Sequence, residues 1–143
     1  MKTKIILEWT LINECEIPND IDNLLVRGEV AVAAYKTFRD VAIFTNKRLI
    51  VKDSQGISGK KVEIYSLPYS SINMWSTENA GLIDFNTEVE LWTRAGHFKI
   101  KLGKNVDVRR FDKLIYTGVI LLLAAVAVIG KEVGRSKTLD KLG

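Results

Sequence analysis

A chain of 143 residues with 21 basic and 17 acidic side chains, net charge +4, one cysteine and one histidine has room for one ordinary domain and an appendage. The mild basic excess is far from the dense positive face of a nucleic-acid binder. Cys15 alone excludes an internal disulfide and a thiolate metal cluster, and His97 alone removes the common zinc sites, so no metal or other cofactor is expected and the setting reads as reducing and cytoplasmic.

Residues 1–12, MKTKIILEWTLI, form an apolar run broken by Glu8, too short and polar for a signal peptide. A helix or strand packed on the domain or on a neighbouring subunit is expected there, grouped with residues 13–27 as an N-terminal helical segment over 1–27. Pro18 interrupts the run. Asn19 or Asp20 is suited to cap a helix over 21–26, with Gly28 as its stop.

Residues 29–38 predict a strand with two apolar phases, hence a central one, and 36–40 turn the chain. Residues 41–44 and 49–51 predict a hairpin reversed at Asn46. After a polar turn, Val62, Ile64 and Ser66 alternate with Glu63, Tyr65 and Leu67 in a strand that Pro68 ends. Residues 70–78 predict another strand, on which Trp75 is a surface anchor or a core plug. A last hairpin over 88–93 and 97–102 places Phe98, Ile100 and Leu102 inside, with His97, Lys99 and Lys101 in solvent. Glu88 and Glu90 share the solvated face of their strand, where paired carboxylates have no acid–base task. Asn105 or Asp107 caps a helix beginning near Val106, whose Val108, Phe111, Leu114 and Ile115 keep helical spacing. The expected core includes Val32, Ala34, Ile43, Leu49, Ile64, Leu91, Phe98, Ile100 and Phe111.

The stretch FTNKRLIVKDSQGISGKKVEIYSLPYSSI, residues 44–72, resembles the signature of the bacterial pleckstrin-homology-like (PH-like) domains. The likeness runs over residues 9–116, through Gly28-Glu29, the 36–40 turn, residues 78–81, the strands around Trp92 and Lys99, and Asp107-Val108. It implies a mainly β fold: an antiparallel β-sandwich or partly open barrel of about seven strands, closed by a C-terminal helix, over 28–116. It also implies a binding or assembly module with no catalytic motif, in a family whose domains form homo-oligomeric rings. In eukaryotic PH domains the first hairpin loop binds inositol phosphates through basic residues, which makes Lys36, Arg39, Lys47 and Arg48 candidate ligands for an anion.

The resemblance leaves residues 117–143 unexplained. Residues 114–130 carry no charge and are flanked by Arg109, Arg110 and Lys113 before and by Lys131, Arg135 and Lys137 after. Such a helix is about 25 Å long, a little under the roughly 30 Å hydrocarbon core. Two readings stand. In one, residues 9–114 are cytoplasmic and 115–129 enter the inner membrane, making the chain a membrane-held scaffold that self-associates. In the other, the same helix is an oligomerisation element of a soluble ligand- or protein-binding module. Val119, Ile120, Leu121, Leu122, Leu123, Val126, Val128 and Ile129 carry either role. The expected partners are copies of the chain, and membrane lipid or another membrane protein, with no nucleic acid.

Overall fold

Alternating apolar and polar side chains set the strands, and their twist curls one sheet around a single line of core residues. The computed structural model describes residues 4–55, 61–78 and 87–120. Among them the strands are β1 (Ile5–Cys15), β2 (Ala31–Thr37), β3 (Val41–Thr45), β4 (Arg48–Gln55), β5 (Lys61–Pro68), β6 (Ile72–Thr77), β7 (Thr87–Thr93) and β8 (Gly96–Leu102). A helix, α1, follows over residues 108–120.

The strand order is β5-β4-β3-β2-β1-β8-β7-β6. Every neighbouring pair is antiparallel except β1 and β8, which run parallel with Trp9 opposite Ile100. β1 therefore joins a four-stranded sheet to a three-stranded one. The seven expected strands are present and β1 is the eighth. The helical assignment of residues 1–27 is corrected: Leu7, Trp9 and Leu11 face the core while Glu8 and Thr10 do not, which is the period of a strand. The expected helix over 21–26 is a short 3-10 turn, Asn19–Asn23, with no side-chain cap. Its Ile21, with Leu24 and Leu25, covers Ala34, Val41, Ile43 and Ile50 on the outer face of β2 to β4.

The main core lies inside the curl and under α1. Phe111 is fully buried and meets Phe44 and Tyr35 edge-to-face at 5.3 and 6.0 Å. Trp9 stacks on Phe98 at 5.7 Å and tilts against Tyr65 at the same distance, so β1 brings the two halves of the sheet into contact through one indole. α1 starts two residues after Val106, with Asp107 Oδ1 accepting from the Arg110 N–H at 3.2 Å. Its flanks are tied down by a bidentate Arg110–Glu14 pair to β1 and by Asp112, which accepts from Thr77 Oγ1 at 2.7 Å. Trp75 Nε1 donates to the same carboxylate at 3.3 Å, so Trp75 is a half-buried strut between β6 and α1.

Three expected positions differ. Ile64 is 44% exposed because it falls on the outer phase of edge strand β5, whose inner phase is Tyr65 and Leu67. His97 is buried, not solvated: it stacks on Trp92 at 4.7 Å and lies 3.4 Å from the Glu90 carboxylate, since β8 is central and the indole covers its outer face. Val32 is 49% exposed, because the register of β2 against β3 shifts at that residue. Ala34, Ile43, Leu49, Leu91, Phe98, Ile100 and Phe111 are buried as expected.

Ile115 is buried and Val119 packs on the barrel core, so the bilayer boundary expected at residue 115 is corrected: that turn of α1 belongs to the domain. Among the described residues no helix is long and apolar enough to cross a membrane. The expected second apolar helix, including Leu121, Leu122, Leu123, Val126, Val128 and Ile129, lies outside the described residues.

Candidate functional site: the groove beside the capping helix

The Thr45-Asn46-Lys47-Arg48 turn of the signature works mainly as a structural clamp. Glu29 has no exposed side-chain surface and faces Arg48, whose Nε donates to Oε2 at 2.9 Å and whose Nη2 donates to Oε1 at 3.0 Å. Arg48 also donates to the Leu24 carbonyl at 2.6 Å and to Ser66 Oγ at 2.9 Å, joining β4, β5 and the segment before β2. Thr45 Oγ1 donates to Glu29 Oε2 at 2.7 Å, and the Val26 N–H donates to Oε1 at 3.1 Å. Burial alone would raise the Glu29 carboxyl, but the donors from Arg48, Thr45 and Val26 outweigh it and hold it down at about 2.

Asn46 is not in a left-handed conformation; among the described residues no non-glycine has positive φ. It spans the turn by side chain, accepting from the Val30 N–H at 2.8 Å and donating to the Gly28 carbonyl at 3.1 Å. Gly28, at φ 80°, makes the reversal that brings this segment alongside. Tyr69 completes the clamp, its hydroxyl donating to the Thr45 carbonyl at 2.7 Å.

The four basic candidates are not one site. Lys36 and Arg39 sit at the β2–β3 end, Lys47 and Arg48 at the β3–β4 end, and β3 between them is five residues, about 17 Å. Lys36 is exposed, and Arg39 reaches Asp53 at 3.5 Å as a surface pair rather than pairing with neighbouring Asp40. Arg48 is committed to Glu29. Arg39 lines a small cavity of about 300 Å³, whereas Lys47 opens onto a larger one.

That cavity, about 870 Å³, runs between α1 and the β3–β4 turn and is lined by Val32, Asn46, Lys47, Tyr69, Arg109 and Lys113 among others. Sequence reasoning took Arg109 and Lys113 for flanks of an apolar helix. Here they line the α1 side of the same cavity as Lys47. A second cleft of about 510 Å³ lies where β5 fails to close against the β7–β8 turn, over Trp9, Tyr65 and Phe98. Among the described residues no three His, Cys, Asp or Glu side chains are grouped to hold a metal ion.

A curled sheet of two halves with one long helix packed over its core is the pleckstrin-homology architecture. The chain belongs to the bacterial PH domain family, whose sequence profile matches residues 1–119. It is 42% identical over 81 residues to the uncharacterized protein YjqA of Bacillus subtilis (strain 168), covering 57% of this chain and 65% of YjqA, which is less than two thirds of that relative. It is 38% identical over 95 residues to the uncharacterized protein YozO of the same organism, covering 66% and 82%. A DUF1696 family protein with a pleckstrin-homology domain from Shewanella loihica PV-4 superposes with a TM-score of 0.67 at 34% identity, over 76% of this chain and 98% of that one. A pleckstrin homology domain from Shewanella amazonensis SB2B gives 0.59 at 35%, over 70% and 82%.

Proposed function

We propose that the chain is a non-catalytic PH-like binding and assembly module that associates with copies of itself, with its C-terminal apolar segment taking part in that association. The observation that carries this reading is edge strand β5. Only β4 pairs with it among the described residues, and its outer phase presents Val62 and Ile64, 49% and 44% exposed. An unpaired edge with apolar side chains is a surface that natural sheets cover.

The end of α1 supports the same reading. Once Ile115 and Val119 are counted with the barrel, the uncharged run left is residues 120–130. Eleven residues at the rise of a helix would span only about 16 Å, roughly half a bilayer core, which suits burial between subunits better than a span. A second reading, attachment of the domain to the inner membrane through lipid or a membrane protein, is favoured by the absence of charge between Lys113 and Lys131.

Light scattering of the full chain in mild detergent, with carbonate-washed membranes assayed in parallel, tests both. A multimer mass that Ile64→Lys reduces, from protein found in the soluble fraction, supports assembly. A monomer mass across a hundredfold concentration range counts against it. Retention in the washed pellet that Leu122→Arg abolishes moves the assignment to the membrane reading.

A further inference from the structure

We infer that the groove beside α1 is a binding site for a phosphate ester carried on an apolar body, whether a lipid headgroup with part of its chain or a free organic phosphate. The inference stands apart from self-association and from any membrane span.

The first support is an excess of positive charge. Lys47, Arg109 and Lys113 are exposed and none makes an ion pair among the described residues. Arg110, also on the lining, is held by Glu14, with Nη2 donating to Oε1 at 2.7 Å. The one acid on the lining, Asp107, accepts from the Arg110 N–H as the helix cap and keeps its charge, so the cations outnumber it rather than stand alone. Three cations without an ion-pair partner, lining the two sides of one groove against a single carboxylate, suit a group bearing about −1.5 to −2 charges, as a phosphate monoester does. The guanidinium of Arg109 offers paired donors to two oxygens.

The second support is how Val32 comes to be there. Ala31 pairs with Thr45 and Ala33 with Phe44, so β2 has two residues in the space of one on β3, and Val32 is the extra residue of a β-bulge. Ala33 faces the main core and Ala34 the outer cluster; simple alternation would send Val32 outward with Ala34, but Ala31 takes that side instead. The bulge turns Val32 onto the groove wall, where Leu114 and Tyr69 also lie. An apolar side chain re-aimed from a sheet face to a half-open basic groove gives an apolar contact beside the cations. The volume also exceeds what a bare phosphate fills and falls in the range of small-molecule sites.

The test uses the full chain at low salt, in a non-ionic detergent for calorimetry and with the detergent removed for flotation. Titration calorimetry with hexyl phosphate, with inorganic phosphate as reference, measures the free ester. Flotation with phosphatidylcholine vesicles with or without phosphatidic acid measures the lipid. Binding of hexyl phosphate at one site per chain, tighter than inorganic phosphate, is expected. Lys113→Glu with Arg109→Glu should weaken it at least about tenfold, Val32→Asp should lower hexyl phosphate affinity alone, and Lys36→Glu, at the other end of the sheet, should change nothing. Flotation without hexyl phosphate binding, lost in the same charge-reversal variant, assigns the site to a lipid surface. Hexyl phosphate binding without flotation assigns it to a free ester. The inference is overturned if neither probe binds, if binding survives charge reversal in a protein whose melting temperature is unchanged, or if inorganic phosphate binds as tightly as the ester.

Discussion

Gly118 of α1 lies so close to Tyr69 that a methyl group at its Cα would stand 2.6 Å from two carbons of the ring. Helix propensity alone would make Gly118→Ala stabilising by about 1 kcal/mol. The overlap reverses the sign, because the Tyr69 ring is buried and its hydroxyl is fixed to the Thr45 carbonyl. Gly118→Ala should cost about 1 to 3 kcal/mol, read as a fall of several degrees in melting temperature. In a Tyr69→Ala background the same change should cost nothing or stabilise, and equal costs in the two backgrounds would show that the helix does not ride on that ring.

The Glu29–Arg48 clamp makes an acid-limb prediction. The carboxyl is held at about 2 when folded, against an ordinary value of 4.5. A depressed folded value gives stability that is whole above the ordinary value and lost as pH falls through the folded one, here between about 4.5 and 2. Denaturant midpoints measured down that range should fall, and Glu29→Gln should flatten the slope. At neutral pH, Arg48→Ala leaves the carboxylate buried without its main partner and should cost about 3 kcal/mol.

The alkaline limb has the opposite sign. Burial, with the Glu14 charge nearby, pushes the Tyr35 hydroxyl up to about 12, and burial with Glu29 nearby pushes Tyr69 higher still. Raised folded values give stability that is whole below the ordinary 10 and is lost as pH rises from there through the folded values. Absorbance at the phenolate band should show these two tyrosines ionising late, together with unfolding, and Tyr35→Phe should remove part of the alkaline loss.

The strand phase is open to a direct check. Phe98→Ala and Phe111→Ala remove rings from the contacts with Trp9 and with Tyr35 and Phe44, and each should cost about 3 to 5 kcal/mol. Ile64→Thr and Val32→Thr, at exposed positions, should stay within about 0.5 kcal/mol in chemical unfolding. Equal losses at all four would contradict the packing described.

The contrast between Phe98 and Val32 shows what the residues alone made legible. In β8 an unbroken alternation identified Phe98, Ile100 and Leu102 correctly, because a regular strand has one phase and one buried face. In β2 the bulge breaks the phase at Val32, and a bulge of one residue leaves no composition signal. β1 was obscured because Ile5, Ile6 and Leu7 mask the alternation of Leu7, Trp9 and Leu11. His97 followed its phase but not its burial, since the Trp92 ring that covers it comes from another strand. The basic residues were found by type, yet which of them would be consumed by Glu29 or gathered with Lys47 depended on tertiary placement. Arg109 and Lys113 had only helical spacing from each other to mark them as one wall.

The parallel pairing of β1 with β8 sets a timetable for the nascent chain. Ile100 emerges from the ribosome about ninety positions after its partner Trp9, so at 5 to 20 residues per second roughly 5 to 20 s pass between them. β2 arrives early and can satisfy one edge of β1, but the other edge stays unpaired until β8 has been made. For that interval the strand that will unite the sheet is an open template for a neighbouring chain on the same polysome, and the hazard closes only when synthesis has passed residue 102.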